Sequence, residues 1–422
     1  MCGGPLKEVA TITAGQSAPK PELFSNEGLP FVRAGCLEEL IAGKKESDLE
    51  MISNDVAREL RMNLYPEGSI LFAKSGMSAT KNRFYQLKTP AYVVSHLAVL
   101  IPKDRFFSDY LRHVLIQYPP SSLIKDIAYP AISLGDIQDF KVPIPETYDD
   151  QIRIATLLSK VENLISCRRE QLKQLDELLK SIFLEMFGLH NGDVKKWIIE
   201  PLSACTEIVS GVTKGKKYNG NKLRDVPYMR VANVKDGYLN LSEIKTIEVT
   251  EAEIYKYKLI SGDLLLTEGG DPDKLGRGAV WNCEIEECIH QNHIFRVRAI
   301  GNSVNPVFLS ALMASKYGKS YFFKAAKQTT GIASINSTQL KAFPLIKPPV
   351  DLQNQFAAIV EKVESVRSQY TKSLKNLKSL YGTLSQKALT GELDLLRVQI
   401  CEECEMANRT ASRISASQEL TP

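Results

Sequence analysis

The 422-residue chain has no apolar run approaching the roughly 18–20 residues needed to cross a bilayer, so no membrane-spanning helix is expected. Its start, Met1-Cys2-Gly3-Gly4-Pro5-Leu6-Lys7, lacks the basic and apolar regions of a secretory signal, and a cytoplasmic protein is the expectation. The eight cysteines are scattered, which favours reduced thiols over a disulfide framework. No charge of one sign dominates: 53 Lys and Arg stand against 49 Asp and Glu. Residues 196–349 carry 21 basic against 15 acidic side chains and residues 1–146 carry 16 against 17, so charge alone does not indicate nucleic acid in either half. What remains, 44% hydrophobic and 24% charged, is ordinary globular composition long enough for two to four domains.

Catalytic constellations are also missing. Gly211-Val212-Thr213-Lys214-Gly215-Lys216 has the wrong spacing for a P-loop and no hydroxyl after the lysine. Asn305-Pro306-Val307-Phe308 lacks the second proline and the glycine-rich strand of an amino-methyltransferase site, and there is no Gly-x-Ser-x-Gly or His-Glu-x-x-His. Cys283, Cys288, His290 and His293 lie within eleven residues and are a zinc candidate. A packed strand histidine beside two thiols is the preferred reading, because His293 aligns with His96, which no cysteine accompanies. Cys401 and Cys404 sit in a polar tail without redox context.

What is present is a repeat. Leu29-Pro30-Phe31-Val32-Arg33-Ala34 returns as Val226-Pro227-Tyr228-Met229-Arg230-Val231. The stretch from Pro66 to Phe72 returns from Ile260 to Leu266, and that from Ser95 to Leu100 returns from Asn292 to Val297. Ala131-Ile132-Ser133 with Phe140 returns as Ser334-Ile335-Asn336 with Phe343, and a glutamine (Gln151, Gln355) follows each proline-rich stop. Offsets of 194 to 204 are far above a solenoid period, so two whole domains are duplicated. Within each, short β-branched and aromatic runs broken by Gly, Pro and Asn alternate with a few helical stretches, a mixed α+β pattern.

After each proline stop the periodicity becomes heptad. Ile154, Val161, Leu175 and Ile182 mark one seam, and Phe356, Val363, Tyr370, Leu377 and Leu384 the other. About five heptads give helices of roughly 54 Å, with Gly188 and Gly391 as stops. Each helix either packs along a globular domain or pairs with the other. A two-fold relation between duplicated units favours pairing, which makes the helices antiparallel and puts the domains at opposite ends. Arg168 takes an a-type position, to set register, to dock a partner or to snorkel.

The loops suit a polyanion. Thr213, Lys214, Lys216, Lys217, Tyr218, Asn219 and Lys222 share one glycine-broken loop whose first-half counterpart carries Gln16, Ser17 and Lys20. A second pair of loops holds Lys74, Ser75, Lys81, Asn82 and Arg83 in the first half and Arg277 in the second. Arg33, Arg230, Asn233, Gln328 and Thr329 complete the candidates for DNA contact; the plain alternative is a set of solvated loops.

The tandem order resembles the DNA-specificity subunit of type I restriction–modification systems, the HsdS family. The resemblance rests on residues 28–33, on 68–71, on the Ile-Asn-Ser to Pro-Pro to Gln stretch over 335–355 and on 386–393, and it spans about residues 5–396. It implies target-recognition domains at 1–146 and 189–348, long spacer helices at 147–188 and 349–396, and an unmatched tail at 397–422. It further implies a non-catalytic reader of a bipartite double-stranded DNA site. Such a reader scaffolds two modification (methyltransferase) subunits and restriction/translocase subunits. No cofactor is expected in this chain; S-adenosylmethionine, ATP and Mg2+ belong to the partners. Alternatives are the specificity subunit of a fused type II system and a coiled-coil adaptor that does not touch DNA. If the heads are independent, exchanging residues 1–146 for another family member's first head changes one half of the methylated motif. Sequencing the methylated sites tests this, and a change in both halves would refute independence.

Overall fold

The computed structural model describes residues 2–398 except 104, 146, 189–196, 217, 219–221, 271–274, 330 and 331. Two compact units divide it, one from residues before 170 and after 371, the other from residues 170–371. In the first unit, Ala10–Ala14, Leu97–Pro102, Ile70–Ala73 and Tyr85–Gln86 form an antiparallel four-stranded sheet in that order. Leu29–Val32 lies between Met51–Ile52 (antiparallel) and Tyr92–Val93 (parallel), and Cys2–Pro5 pairs with Lys141–Ile144.

The second unit repeats this order. Thr206–Ser210, Ile294–Ala299, Leu264–Thr267 and Gly278–Val280 form the four-stranded sheet. Arg224–Met229 lies between Lys245–Val249 and Ile289–His290, and Ile198–Pro201 pairs with Pro344–Lys347. The registers correspond as well: Ile70 faces Leu100 as Leu264 faces Val297, and Phe31 faces Tyr92 as Tyr228 faces Ile289. The duplication is therefore one of fold across these three sheets, and the second unit adds a further sheet of Gly269–Gly270, Ile332–Ser334 and Lys327–Thr329.

The central strands Ile70–Ala73, Leu97–Pro102 and Leu264–Thr267 read as apolar runs because both faces are covered, while Ile294–Ala299 carries the buried Arg296, which pairs with Glu207. Successive side chains point to opposite faces, so Ile70, Phe72, Ala98 and Leu100 pack with Tyr110, Leu111, Val114 and Leu115 of the helix Arg105–Gln117. Leu71, Ala73, Leu97 and Val99 face the other way, onto Phe31, Val32 and Tyr92 of the three-stranded sheet. The second unit divides its strands similarly, with Leu264, Leu266, Phe295 and Val297 on one side and Leu265, Ile294 and Trp281 on the other.

At the end of the first strand of each four-stranded sheet the chain crosses between sheets. Gln16 leaves the four-stranded sheet and bridges Val94 in parallel; Val212 does the same to Gln291. A glycine precedes each. A Cβ on Gly15 would overlap the Val93 carbonyl oxygen, and one on Gly211 the carbonyl oxygen of His290. Only a residue without a side chain brings the two backbones this close.

The heptad segments are the long helices Tyr148–Phe187 and Val350–Thr390, followed by Gly188 (φ +67°) and Gly391 (φ +81°) in the left-handed region. In the second unit Asp176 pairs with Arg367 while Phe183 stacks edge-on with Phe356, so residue numbers rise along one helix as they fall along the other. The helices are antiparallel there. In the first unit Ile154 and Leu158 share a core with Ala388 and Leu389. Arg168 is half-buried. Among the described residues, no helix is long and apolar enough to cross a membrane.

The equivalent first-turn glutamines are Gln151 and Gln353, both buried, rather than Gln151 and Gln355. Gln353 accepts from the Asn305 N–H (2.8 Å) and donates to the Pro348 carbonyl (2.8 Å), whereas Gln355 is exposed. Counting from the last proline misses this because the second helix begins at Val350, directly after the prolines.

Where each head meets the helices, the chemistry differs. In the first unit His113 is fully buried, with Nδ1 2.8 Å from the Tyr381 hydroxyl and Nε2 3.0 Å from Ser159 Oγ. Burial, then the neighbouring Arg112, pushes its pKa well below the usual histidine value. Arg112 pairs with Glu162. In the second unit the same region is aromatic: Phe183, Phe187, Phe308 and Phe356 have centroids 4.7–5.9 Å apart.

A second interior histidine makes the second head sensitive to acid. His290 is fully buried, with Nδ1 3.1 Å from the Tyr257 carbonyl and Nε2 3.2 Å from that of Val209, and burial pushes its pKa down to about 4. The folded pKa lies below the unfolded value of about 6.5, so the unfolded chain takes up the proton first. Stability is complete above that value and falls as pH drops toward 4, by up to about 3 kcal/mol. The two tryptophans, Trp197 and Trp281, both lie in the second unit. Urea unfolding of the full chain followed by tryptophan fluorescence is expected to show this loss between pH 7 and 5. His290→Gln should flatten the pH dependence; an equal slope in the variant would contradict the assignment.

Candidate nucleic-acid interface

The loops at the sheet-crossing end of each head are fastened to one another through the backbone. In the first head Gln16 N–H donates to Val93 O (2.8 Å), Ser95 N–H to Gln16 O (2.8 Å) and Lys74 N–H to His96 O (3.0 Å). Ile132 N–H donates to Lys74 O and Gly76 N–H to Pro130 O, each at 2.8 Å. The second head repeats four of these links: Val212 N–H to His290 O (2.9 Å), Asn292 N–H to Val212 O (2.9 Å), Glu268 N–H to His293 O (3.0 Å) and Ile335 N–H to Glu268 O (2.9 Å). Loops far apart in sequence thus form one tip in each head.

Most sequence-selected residues fall on these tips, but their availability differs. In the first head Ser17, Lys20, Lys81 and Asn82 are exposed and Lys74 is half-buried; Lys20, Lys74 and Lys81 have no ion pair among the described residues. Gln16 is occupied: its Nε2 donates to Arg61 O (3.2 Å) and its Oε1 accepts from Asn63 N–H (2.5 Å). Arg83 is paired with Glu38 at 2.5 Å. Arg33 is paired with Glu50 at 2.8 Å and lies over the rings of Phe24 and Phe31.

In the second head Thr213, Lys214 and Lys222 are exposed, and neither lysine has an ion pair among the described residues. Lys216 lies 2.7 Å from Glu253, whose hydrogen bond raises its pKa, and stands over the Tyr218 ring. Burial and Glu253 push the Tyr218 hydroxyl up to about 12. Arg230, the counterpart of Arg33, donates to Glu243 O at 3.1 Å, while its Nε is buried with no hydrogen-bond partner among the described residues. Asn233 is interior, accepting from Arg230 N–H (3.0 Å) and donating to the carbonyls of Asn240 (2.8 Å) and Glu243 (3.0 Å). It shapes a loop and presents nothing to solvent. Arg277 follows the loop after Leu264–Thr267, its Nε buried with no hydrogen-bond partner among the described residues. Gln328 and Thr329 lie on Lys327–Thr329, which pairs with Ile332–Ser334, in turn paired with Gly269–Gly270. Lys217 and Asn219 lie outside the described residues.

One equivalent pair escaped selection. His96 and His293 are exposed at the two tips, with His96 Nδ1 2.9 Å from Ser75 Oγ and His293 Nδ1 2.7 Å from Glu268 Oε2. Their alignment across the repeat was the available signal. The zinc candidate is dispersed: Cys283 is exposed, the buried Cys288 thiol is raised to about 12, and His290 faces two carbonyls. Among the described residues no cluster of His, Cys, Asp and Glu suits a metal; Cys401 and Cys404 lie outside them. Asn305-Pro306 is a helix start, with the Asn305 side chain accepting from Val307 N–H at 2.9 Å and proline in the first turn.

Two heads of one fold, each offering a basic, backbone-tied tip, define a recognition protein. The pattern of the type I restriction modification DNA specificity domain matches the chain twice, over residues 4–177 and 205–378, and the chain belongs to that family. It is 23% identical to the type I restriction enzyme EcoKI specificity subunit of Escherichia coli strain K12, over 92% of this chain and 88% of that protein. It is 22% identical to the StySPI specificity subunit of Salmonella potsdam over the same shares. Among solved structures, the S subunit of a type I restriction–modification system from M. genitalium superposes with a TM-score of 0.53 at 14% identity, covering 92% of this chain and 96% of that one. A chain from a study of complex assembly and conformational transition of the type I system gives 0.55 at 16%, covering 93% and 98%. The fold is that of these subunits: two tandem mixed α/β domains with two long antiparallel helices.

The distribution of ion pairs ranks the lysines of the second head. Replacing Lys214 and Lys222 with glutamine is expected to lower the salt dependence of duplex binding by about 0.9 log–log units per lost phosphate contact. Lys216→Gln is expected to change it less, since Glu253 already neutralises that charge. Titrations at several salt concentrations measure this, and an unchanged slope in the double variant would remove the loop from the interface.

Proposed function

We propose that the chain reads a bipartite site on double-stranded DNA, one half with each head, as the specificity subunit of a cytoplasmic type I restriction–modification complex. The observation that carries the reading is the repeated tip, with the same backbone ties in both heads and different side chains on them. A shared frame with divergent loops suits two half-sites of different sequence, because phosphate contacts set position while side chains on base edges choose sequence. Tip-loop candidates for these contacts are Ser17, Lys20, Lys74, Lys81 and Asn82 in the first head and Thr213, Lys214 and Lys222 in the second, with Ser75, Arg277, Gln328 and Thr329 beside them.

The chain acts by recognition and assembly. In this reading the long helices dock two methyltransferase subunits, and restriction subunits join that complex. S-adenosylmethionine, ATP and Mg2+ are used by those partners. Kinship with the EcoKI specificity subunit supports this. Co-expression with the modification partner and sequencing of methylated DNA is the direct test: a bipartite adenine-methylated motif is expected, and assembly without any motif would sink the reading.

The antiparallel helices also set the unread gap in this proposal. Around Asp176 and Arg367, residues 172–178 lie opposite 365–371. Deleting both heptads shortens the pair by about 10.5 Å while keeping the apolar phase. At about 3.4 Å per base pair, the methylated motif is expected to lose about three base pairs from its centre and keep both half-sites. Full methylation at the original spacing would show that the helices are not the ruler.

A further inference from the structure

At the tip of the first head, three large apolar side chains face solvent: Met77 is 62% exposed, Ile127 77% and Tyr129 83%. Single exposed apolar residues are common on protein surfaces. These three differ in being brought together by backbone pairing. Gly76 N–H donates to Pro130 O, Ser75 bridges Ala131, and Ile132 N–H donates to Lys74 O, so the segment ending at Pro130 runs beside the loop bearing Met77. Within that segment Ala128 N–H donates to Asp126 Oδ1 at 2.8 Å. Tyr129 thus directly precedes Pro130, which is tied to Gly76, and follows a local turn at Asp126, an aromatic ring displayed on a tied loop.

The surroundings carry three lysines, with Asp126 in the same segment. Lys74 and Lys81 have no ion pair among the described residues, and Lys125, which is 85% exposed, has only a 4.0 Å contact with Asp136. An apolar centre with a cationic rim matches duplex DNA: lysines meet phosphates, and apolar side chains meet base edges, above all the thymine methyl group. In the second head the residues aligned with 129–131 are Ile332, Ala333 and Ser334, on a strand held by the equivalent backbone pairing to Gly269–Gly270, so the two heads carry different residue types at one place in the fold.

We propose that Tyr129 and Ile127, with Met77 beside them, are the apolar base-reading element of the first head, contacting thymine edges of the first half-site while Lys74 and Lys81 hold the flanking phosphates. This rests on the reading of the chain as a DNA-specificity subunit. The test uses the full chain with its modification partner. The probes are a duplex carrying the motif found by methylation sequencing, a scrambled duplex of equal composition, and the motif duplex with uracil for thymine in the first half-site. Tyr129→Ala is expected to weaken binding to the motif duplex by about tenfold or more and leave the scrambled duplex and its salt slope unchanged. Uracil substitution should weaken the native protein and have little further effect on an Ile127→Ala/Tyr129→Ala variant. If the native complex prefers the motif and Tyr129→Ala binds both duplexes as the native protein does, the proposal is overturned. An equal loss on both duplexes overturns it too, since Tyr129 would then read no sequence. If the native complex itself does not prefer the motif, the specificity reading fails first.

Discussion

Everything at the recognition end of each head depends on one close approach between backbones. Gly15 and Gly211 sit where a Cβ would overlap a carbonyl oxygen of the neighbouring strand, and there the chain passes from the four-stranded sheet to the three-stranded one. Were that crossing wider, the strand ends would splay and the loops would lose their common frame. With it, loops dispersed from Gln16 to Ile132, and from Val212 to Ile335, come to one place. Two heads of low mutual sequence identity keep the same answer to the same steric problem.

The parts legible in sequence were those governed by short-range periodicity. The repeat announced itself through strand-sized segments because both faces of the central strands are buried, leaving few residue types for them. The heptads announced the long helices, and Gly188 and Gly391 their ends. Counting residues failed at Gln353, where the helix begins sooner after its prolines than its counterpart does.

The loops were legible as loops, but the state of their charges was not. Arg33, Arg83, Lys216 and Arg230 look equivalent to free cations in a linear reading, yet each meets a carboxylate 13 to 45 residues away in the chain. Those partners are brought in by strand pairing and helix placement, which no local window contains. Asn233 was selected as polar and loop-borne; only the fold shows it turned inward onto Asn240 and Glu243. The exposure of Tyr129 escaped for the converse reason, since an aromatic in the apolar run Ile127-Ala128-Tyr129-Pro130 reads as core until the neighbouring loop is seen beside it.

The links that assemble each tip run from amide to carbonyl and use almost no side chain. At Ser95 and Lys74, as at Asn292 and Glu268, the backbone link asks of a residue only that it carry an N–H, whereas Ile132 and Ile335 are also core side chains. Nineteen of the twenty amino acids meet that demand and proline alone does not. Away from the two glycines and the two core isoleucines, a loop residue on this frame is free to vary widely without loosening the head that holds it. Diversity of specificity, for a protein built this way, is close to neutral for folding, and new target sequences can be sampled by point substitution as readily as by exchanging whole heads.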